Sequence, residues 1–147
     1  MEAGPRATWA LPERLNVAQN ESVARFIERA RPSAHSDVAT ELTLAAEGLP
    51  GVGAYCPDPA CYAYVVLHDV AGGIFALAFG MRGLALRVGV GAIEEAIAEG
   101  AETEPGIGEG WAVFDPFRVD ERTEATRARL KRWTARAFRG ARADRAT

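Results

Sequence analysis

Residues 62–88 read YAYVVLHDVAGGIFALAFGMRGLALRV and contain three short β-prone runs separated by two glycine-containing turns. The connections are too short for a crossover between parallel strands, so the runs predict an antiparallel three-stranded meander. Phe75, Leu77 and Phe79 alternate with other residues along the second run. Side chains two residues apart lie on one face of a strand, so we expect these three to meet the helices together.

Amphipathic segments precede and follow this meander. Asn20 and Asp120 are predicted N-caps of the first and last helices, and Ser36 or Asp37 is the predicted cap of the second. A third helix precedes a fourth strand over residues 111–114. The predicted order is ααβββαβα, which indicates an α+β fold in which helices pack on one face of a four-stranded antiparallel sheet.

The 147 residues fit one domain better than two. We assign residues 1–20 to an irregular N-terminal arm that packs down through Trp9, residues 21–139 to a single α+β domain, and residues 140–147 to a frayed tail. Residues 49–60 are rich in turn formers and predict a surface loop. No apolar run is long enough to span a membrane and no secretory signal is visible, so we expect a cytoplasmic protein without a membrane partner.

Charge is distributed unevenly along the chain. The net charge of −3 divides into −9 over residues 1–117 (16 acidic, 7 basic) and +6 over residues 118–147 (10 basic, 4 acidic). One side of the last helix carries an apolar stripe that includes Trp133, and the other side is basic. The basic residues are Lys131, Arg132, Arg136, Arg139 and Arg142. This face predicts a surface for nucleic-acid phosphates or an acidic partner. The alternative is a helix docked on the sheet, whose arginines neutralise the acidic body.

In the segment Cys-Pro-Asp-Pro-Ala-Cys, four residues separate Cys56 from Cys61. The pair is a weak candidate for metal binding, since a structural zinc site needs about four ligands and no second pair is present. The spacing also differs from that of a reactive dithiol. We therefore expect ordinary thiols, no metal and no cofactor.

The segment from Gly89 to Glu94 follows a strand and opens a helix, which is the context of a dinucleotide-binding turn. The carboxylates of Glu94 and Glu95 would repel a pyrophosphate there, so a tight structural turn is favoured. The glutamates of this region are interpreted as a solvated face rather than as catalytic pairs. They are Glu94, Glu95, Glu99, Glu102, Glu104 and Glu109.

Short motifs recur along the second half of the chain in a particular order. They are Gly73-Ile74-Phe75-Ala76-Leu77, Leu86-Arg87, Pro105-Gly106-Ile107, Gly110-Trp111-Ala112-Val113, and Trp133 with Ala137. In order and spacing, residues 73–138 resemble the YjbR/MmcQ family of small bacterial proteins. The resemblance implies a compact α+β fold and, by fold analogy, DNA binding. Arg87 stands where the family usually has lysine, and residues 106–109 lack the family's basic side chains.

Three functional hypotheses follow. The first is a non-enzymatic binding domain whose partner is another protein. The second is a DNA-associated regulator that uses the basic last helix. The third is a small ligand-binding protein or enzyme with a pocket between the third helix and the sheet. The sequence names no catalytic residue.

Overall fold

The computed structural model describes residues 10–58 and 63–146, which form an α+β fold with an antiparallel sheet, as predicted. Trp9 and Cys61 lie outside the described residues. The described helices are α1 (Glu21–Ala30), α2 (Ser36–Ala45), α3 (Ile93–Ala98) and α4 (Thr123–Ala146). The described strands are β1 (Gly53–Tyr55), β2 (Val65–His68), β3 (Ile74–Phe79), β4 (Gly83–Arg87), β5 (Glu102–Thr103) and β6 (Trp111–Phe114).

The described strands form one six-stranded sheet in the order β1-β2-β3-β4-β6-β5, and not the four-stranded sheet that was predicted. The order of elements is therefore ααββββαββα. The two additional strands are the short edge strands β1 and β5, three and two residues long. Strand β1 lies inside the predicted surface loop, residues 49–60. Both strands form because their backbones pair with a neighbouring strand. Pairing of this kind needs no alternation of apolar residues, so the sequence did not predict these strands.

Helices cover both faces of the sheet, whereas the sequence predicted helices on one face. On one face, α2 and α4 pack on Phe75, Leu84 and Leu86. On the other, α1 and the N-terminal residue Leu15 pack with Leu77 and other buried residues. Strand β3 explains the difference, because it is apolar along its whole length and buried on both sides. A strand of this kind needs cover on both faces.

A β-bulge changes which residues of β3 share a face. Leu67 pairs with Ala76 and His68 pairs with Ile74, so Phe75 is an extra residue without a partner in β2. Phe75 therefore faces α4, where its ring lies 5.4 Å from that of Phe138. Leu77 lies in the opposite cluster, with Phe79 packed against it. The prediction that Phe75, Leu77 and Phe79 share one face is wrong, because the bulge inverts the alternation.

Asn20 connects the N-terminal segment to the sheet, although the sequence predicted a helix cap. Its Nδ2 donates to the carbonyls of Leu15 and Gly72, both at 2.7 Å, and its Oδ1 accepts from the Ile74 amide at 2.8 Å. The side chain makes no capping hydrogen bond to α1. Burial of this amide is compatible with stability because the fold provides partners for both its oxygen and its nitrogen.

The ends of the other helices differ from the prediction as well. His35 caps α2, since its Nδ1 accepts from the Asp37 amide at 3.1 Å. Asp120 pairs with Arg118, and α4 begins three residues later at Thr123. Helix α4 then continues to Ala146 and includes the segment from Gly140 that the sequence assigned to a frayed tail. Ala141 is buried against the sheet, which explains why the helix extends past Phe138.

Candidate functional site: an acidic cleft and a divided basic helix

Two of the five basic residues predicted to form a binding surface are ion-paired with α3. Arg132 donates to Glu99, and Arg136 Nη1 lies 2.8 Å from Glu95 Oε2. The Arg136 guanidinium also lies over the Trp133 ring, 4.2 Å from its centroid. Glu95 and Glu99 were interpreted as part of a solvated face, and the structure shows that they neutralise arginines of α4.

The other three basic residues lie apart from those pairs and make no ion pair with any described residue. Lys131 lines a shallow groove between α2 and α4, which Glu41 and Glu47 also line. Arg139 is exposed on α4, and Arg142 lies one turn further on with its guanidinium 5.6 Å from the Phe138 ring centroid. The five residues therefore do not form one continuous basic surface, although each remains a candidate for partner binding.

A second ion-pair network fixes the first turns of α4. Glu121 accepts hydrogen bonds from Arg129 and from the Thr126 hydroxyl, the latter at 2.7 Å. The Arg129 and Thr126 hydrogen bonds lower the pKa of Glu121 to about 2. Arg129 Nε also lies 3.6 Å from Glu99 Oε1. This network links the start of α4 to the end of α3.

A cleft of about 620 Å³ lies between the segment 90–94, which leads into α3, and the loop 103–111. Apolar side chains contribute most of its surface, among them Val90, Ile93, Pro105 and Trp111. We call this feature the acidic cleft, because three of its lining residues are the glutamates Glu94, Glu104 and Glu109. The third hypothesis placed a pocket between the third helix and the sheet, and this cleft lies instead between the start of α3 and the loop before β6.

Two glycines, Gly89 and Gly110, join the two segments that line the acidic cleft. The Gly89 amide donates to the Gly110 carbonyl at 3.0 Å. Both residues have positive φ angles, 95° and 82°, and a Cβ on Gly110 would lie 3.3 Å from Gly89 Cα. The sequence from Gly89 to Glu94 is thus a structural turn, as predicted. It brings α3 against the loop that follows β5.

The carboxylates at the rim of the cleft form no ion pair within residues 10–58 and 63–146. Glu94 and Glu109 are exposed and Glu104 is half-buried, and none of them forms an ion pair with a described residue. Glu104 Oε1 accepts from the Gly106 amide at 3.1 Å, which positions that side chain. Arg29 reaches the same loop but donates to the Gly106 carbonyl, at 3.1 Å. The cleft therefore combines a largely apolar lining with three glutamates that form no ion pair with a described residue.

Sequence reasoning treated these three glutamates as a solvated face, and it did not bring them together around a cavity. They lie on two segments that meet only in the folded chain, where Gly89 contacts Gly110. One signal was present in the sequence. Glu104 and Glu109 belong to a glycine-rich stretch that ends at Gly110-Trp111, so acidic side chains and an aromatic residue lie close together in the sequence.

Cys56 is a half-buried thiol whose Sγ lies 3.8 Å from the Ala63 carbonyl. Burial raises the pKa of the Cys56 thiol, which lowers the fraction present as the reactive thiolate. Cys61, the other weak metal candidate, lies outside the described residues. The side chains that the structure describes contain no group of three or more histidine, cysteine or acidic residues arranged to hold a metal ion.

A scan against protein-family models and searches of curated proteins and of solved structures give no match to this chain. The resemblance to the YjbR/MmcQ family therefore stays a prediction. Every helix in the described ranges is too short or too polar to span a lipid bilayer.

Proposed function

We propose that this protein is a non-enzymatic binding domain whose acidic cleft takes a positively charged partner segment with an apolar side chain. One observation carries the proposal. The rim glutamates Glu94, Glu104 and Glu109 surround an apolar floor and lack a cationic partner among the described residues. The first hypothesis drawn from the sequence, protein binding, agrees with this proposal.

Charge compensation elsewhere on α3 supports the choice of ligand. Glu95 and Glu99 face the arginines of α4, whereas the adjacent Glu94 faces the cleft. Carboxylates of like charge around one cavity repel each other, and a bound cation relieves that repulsion. An apolar side chain on the floor would add burial, which contributes roughly 25 cal/mol per Å² of apolar surface. The two contributions together favour an arginine- or lysine-containing segment over a neutral one.

The test uses the tripeptide acetyl-Arg-Leu-Arg-amide as the probe and two-dimensional NMR of the labelled protein as the readout. We expect amide shifts confined to residues 89–94 and 103–111, and we expect them to weaken as salt is added. Replacing Glu94, Glu104 and Glu109 by Gln should weaken binding by at least about tenfold, since three charge contacts of roughly 0.5 kcal/mol are lost.

The matched control replaces three exposed glutamates outside the cleft, Glu28, Glu47 and Glu124, by Gln. This variant has the same net charge as the cleft variant, so it separates a local site from general attraction. Equal weakening by both variants would contradict the proposal. So would the absence of shifts in the cleft at millimolar probe.

A further inference from the structure

We infer that the partner of the acidic cleft is a second copy of this chain, which inserts its own basic patch while its cleft receives the patch of the first copy. This inference rests on the proposed function, because it names the positively charged segment that the cleft takes. The resulting assembly is a closed dimer with two equivalent contacts.

We call Val70, which shares a cavity with Arg142, and the arginines Arg139 and Arg142, which are three residues apart on α4, the basic patch. Val70 is 75% exposed, so most of its apolar side chain is available for a contact. Val70 and Arg142 line one small cavity of about 220 Å³ with the Phe138 ring. Asp69 lines it too, but its Oδ1 accepts from the Ala71 and Gly73 amides and its residue is buried. The patch thus offers one apolar side chain and two cations.

Strand register places the patch and the cleft at the same end of the sheet. Val70 lies two residues after His68, the last residue of β2, which pairs with Ile74 at the start of β3. Leu86 near the end of β4 pairs with Ala76, and Arg87 pairs with Trp111 at the start of β6. The β2–β3 turn and the cleft loops are therefore neighbours along one edge of the molecule, about two strand spacings or roughly 10 Å apart.

This arrangement suits a two-fold axis. Each copy carries a basic site and an acidic site side by side at one end. When a second copy is rotated by 180° and placed end to end with the first, the order of its two sites is reversed. Each cleft then faces a patch, so both contacts form at once and no further copy can add. A translated copy would place only one cleft against one patch. Charge complementarity therefore favours the closed pair.

The experiment measures mass by sedimentation velocity across protein concentrations, using charge-reversed full-length chains. One variant carries Glu94→Lys with Glu109→Lys, both at exposed positions, and the other carries Arg139→Glu with Arg142→Glu. Circular dichroism checks that each variant is folded. The corresponding Gln variants replace any that is not.

We expect the unmodified protein to dimerise and each reversed variant alone to be monomeric, since its cleft and patch then carry the same sign. An equimolar mixture of the two variants should dimerise again, because both contacts regain opposite charges. Reversal of Glu28 and Glu47 to Lys should leave the dimer intact.

Four outcomes would overturn the inference. A wild-type protein that stays monomeric yet binds the arginine peptide would leave the proposed function standing and exclude the second copy as partner. A dimer that survives both reversals would use another surface. Loss of the dimer in each variant without recovery in the mixture would exclude the reciprocal contact. A monomer that also fails to bind the peptide would contradict both proposals.

Discussion

At the scale of single residues, Phe75 shows how one extra residue in a strand decides where a side chain goes. It is fully buried between the sheet and α4 and stacks edge-to-face on Phe138. Phe75→Ala should reduce the free energy of unfolding by about 3–5 kcal/mol, because it removes a buried ring and leaves a cavity. Urea unfolding measures the change, and Val119→Ala, at a residue 94% exposed, is the control. A loss under about 1 kcal/mol would contradict this placement.

Substitution of Thr134 is expected to have the opposite effect on the free energy of unfolding. Its hydroxyl is buried and has no hydrogen-bond partner among the described residues. Thr134→Val should leave stability unchanged or raise it by up to about 1 kcal/mol, because a buried hydroxyl without a partner costs free energy. Thr126→Val is the matched control on the same helix, since the Thr126 hydroxyl donates to Glu121, and it should lose about 0.5–1.5 kcal/mol. Thermal melts in which both variants lose the same stability would refute this reasoning.

Whether a residue is buried was easier to predict from the sequence than which face of its strand it occupies. The apolar stripe of the last helix correctly predicted that Trp133 is buried in the core, because the period of a helix is visible in its own sequence. The faces of β3 were not predictable, because the bulge at Phe75 is produced by pairing with β2 and leaves no mark in the strand's own sequence.

At the scale of elements, the first turns of α4 depend on Glu121. Its pKa is lowered to about 2 in the folded chain, chiefly by hydrogen bonds from Arg129 and Thr126, against an ordinary value of 4.5. A carboxyl with a depressed pKa stabilises the fold above its ordinary pKa, and that stabilisation is lost as the pH falls toward the folded value. Glu121→Gln should therefore destabilise at neutral pH, and its difference from wild type should shrink between about pH 4.5 and pH 2.

Urea midpoints of the wild type and of Glu121→Gln at several pH values measure this difference. The control is Glu124→Gln, which removes one charge from the same turn, where Glu124 is exposed and makes no ion pair with a described residue. Equal pH dependence in the two variants would mean that general charge, and not the Arg129 contact, sets the acid stability.

Elements with an apolar pattern of their own were predictable, and elements that exist through pairing were not. Strands β2, β3, β4 and β6 follow from their apolar runs. Strands β1 and β5 are two to three residues long and gain their structure from neighbouring backbones. The acidic cleft is a harder case, since its two walls are separate in sequence and meet through the Gly89–Gly110 contact.

Across the whole molecule, the distribution of charge argues against a nucleic-acid partner for α4. Its basic face lies in a segment of charge +6, beside a body of charge −9. Arg132 and Arg136 are already engaged by Glu99 and Glu95. A phosphate could replace these carboxylates only if α3 released them, and the acidic cleft at the same end of the sheet would repel the duplex.

We therefore expect no measurable binding of a DNA duplex of about twenty base pairs at about 150 mM salt, as measured by fluorescence anisotropy. If α4 does contact phosphates, affinity must fall linearly with the logarithm of salt concentration. Replacing Arg132, Arg136 and Arg139 by Gln would then reduce the slope by about 2.7, because each phosphate contact releases about 0.9 counterion. A micromolar, salt-sensitive complex that this triple variant weakens would place the nucleic-acid hypothesis above protein binding. Unchanged stability of the triple variant, without any binding to lose, would instead assign Arg132 and Arg136 to neutralising Glu99 and Glu95, since exposed ion pairs contribute at most about 1 kcal/mol each.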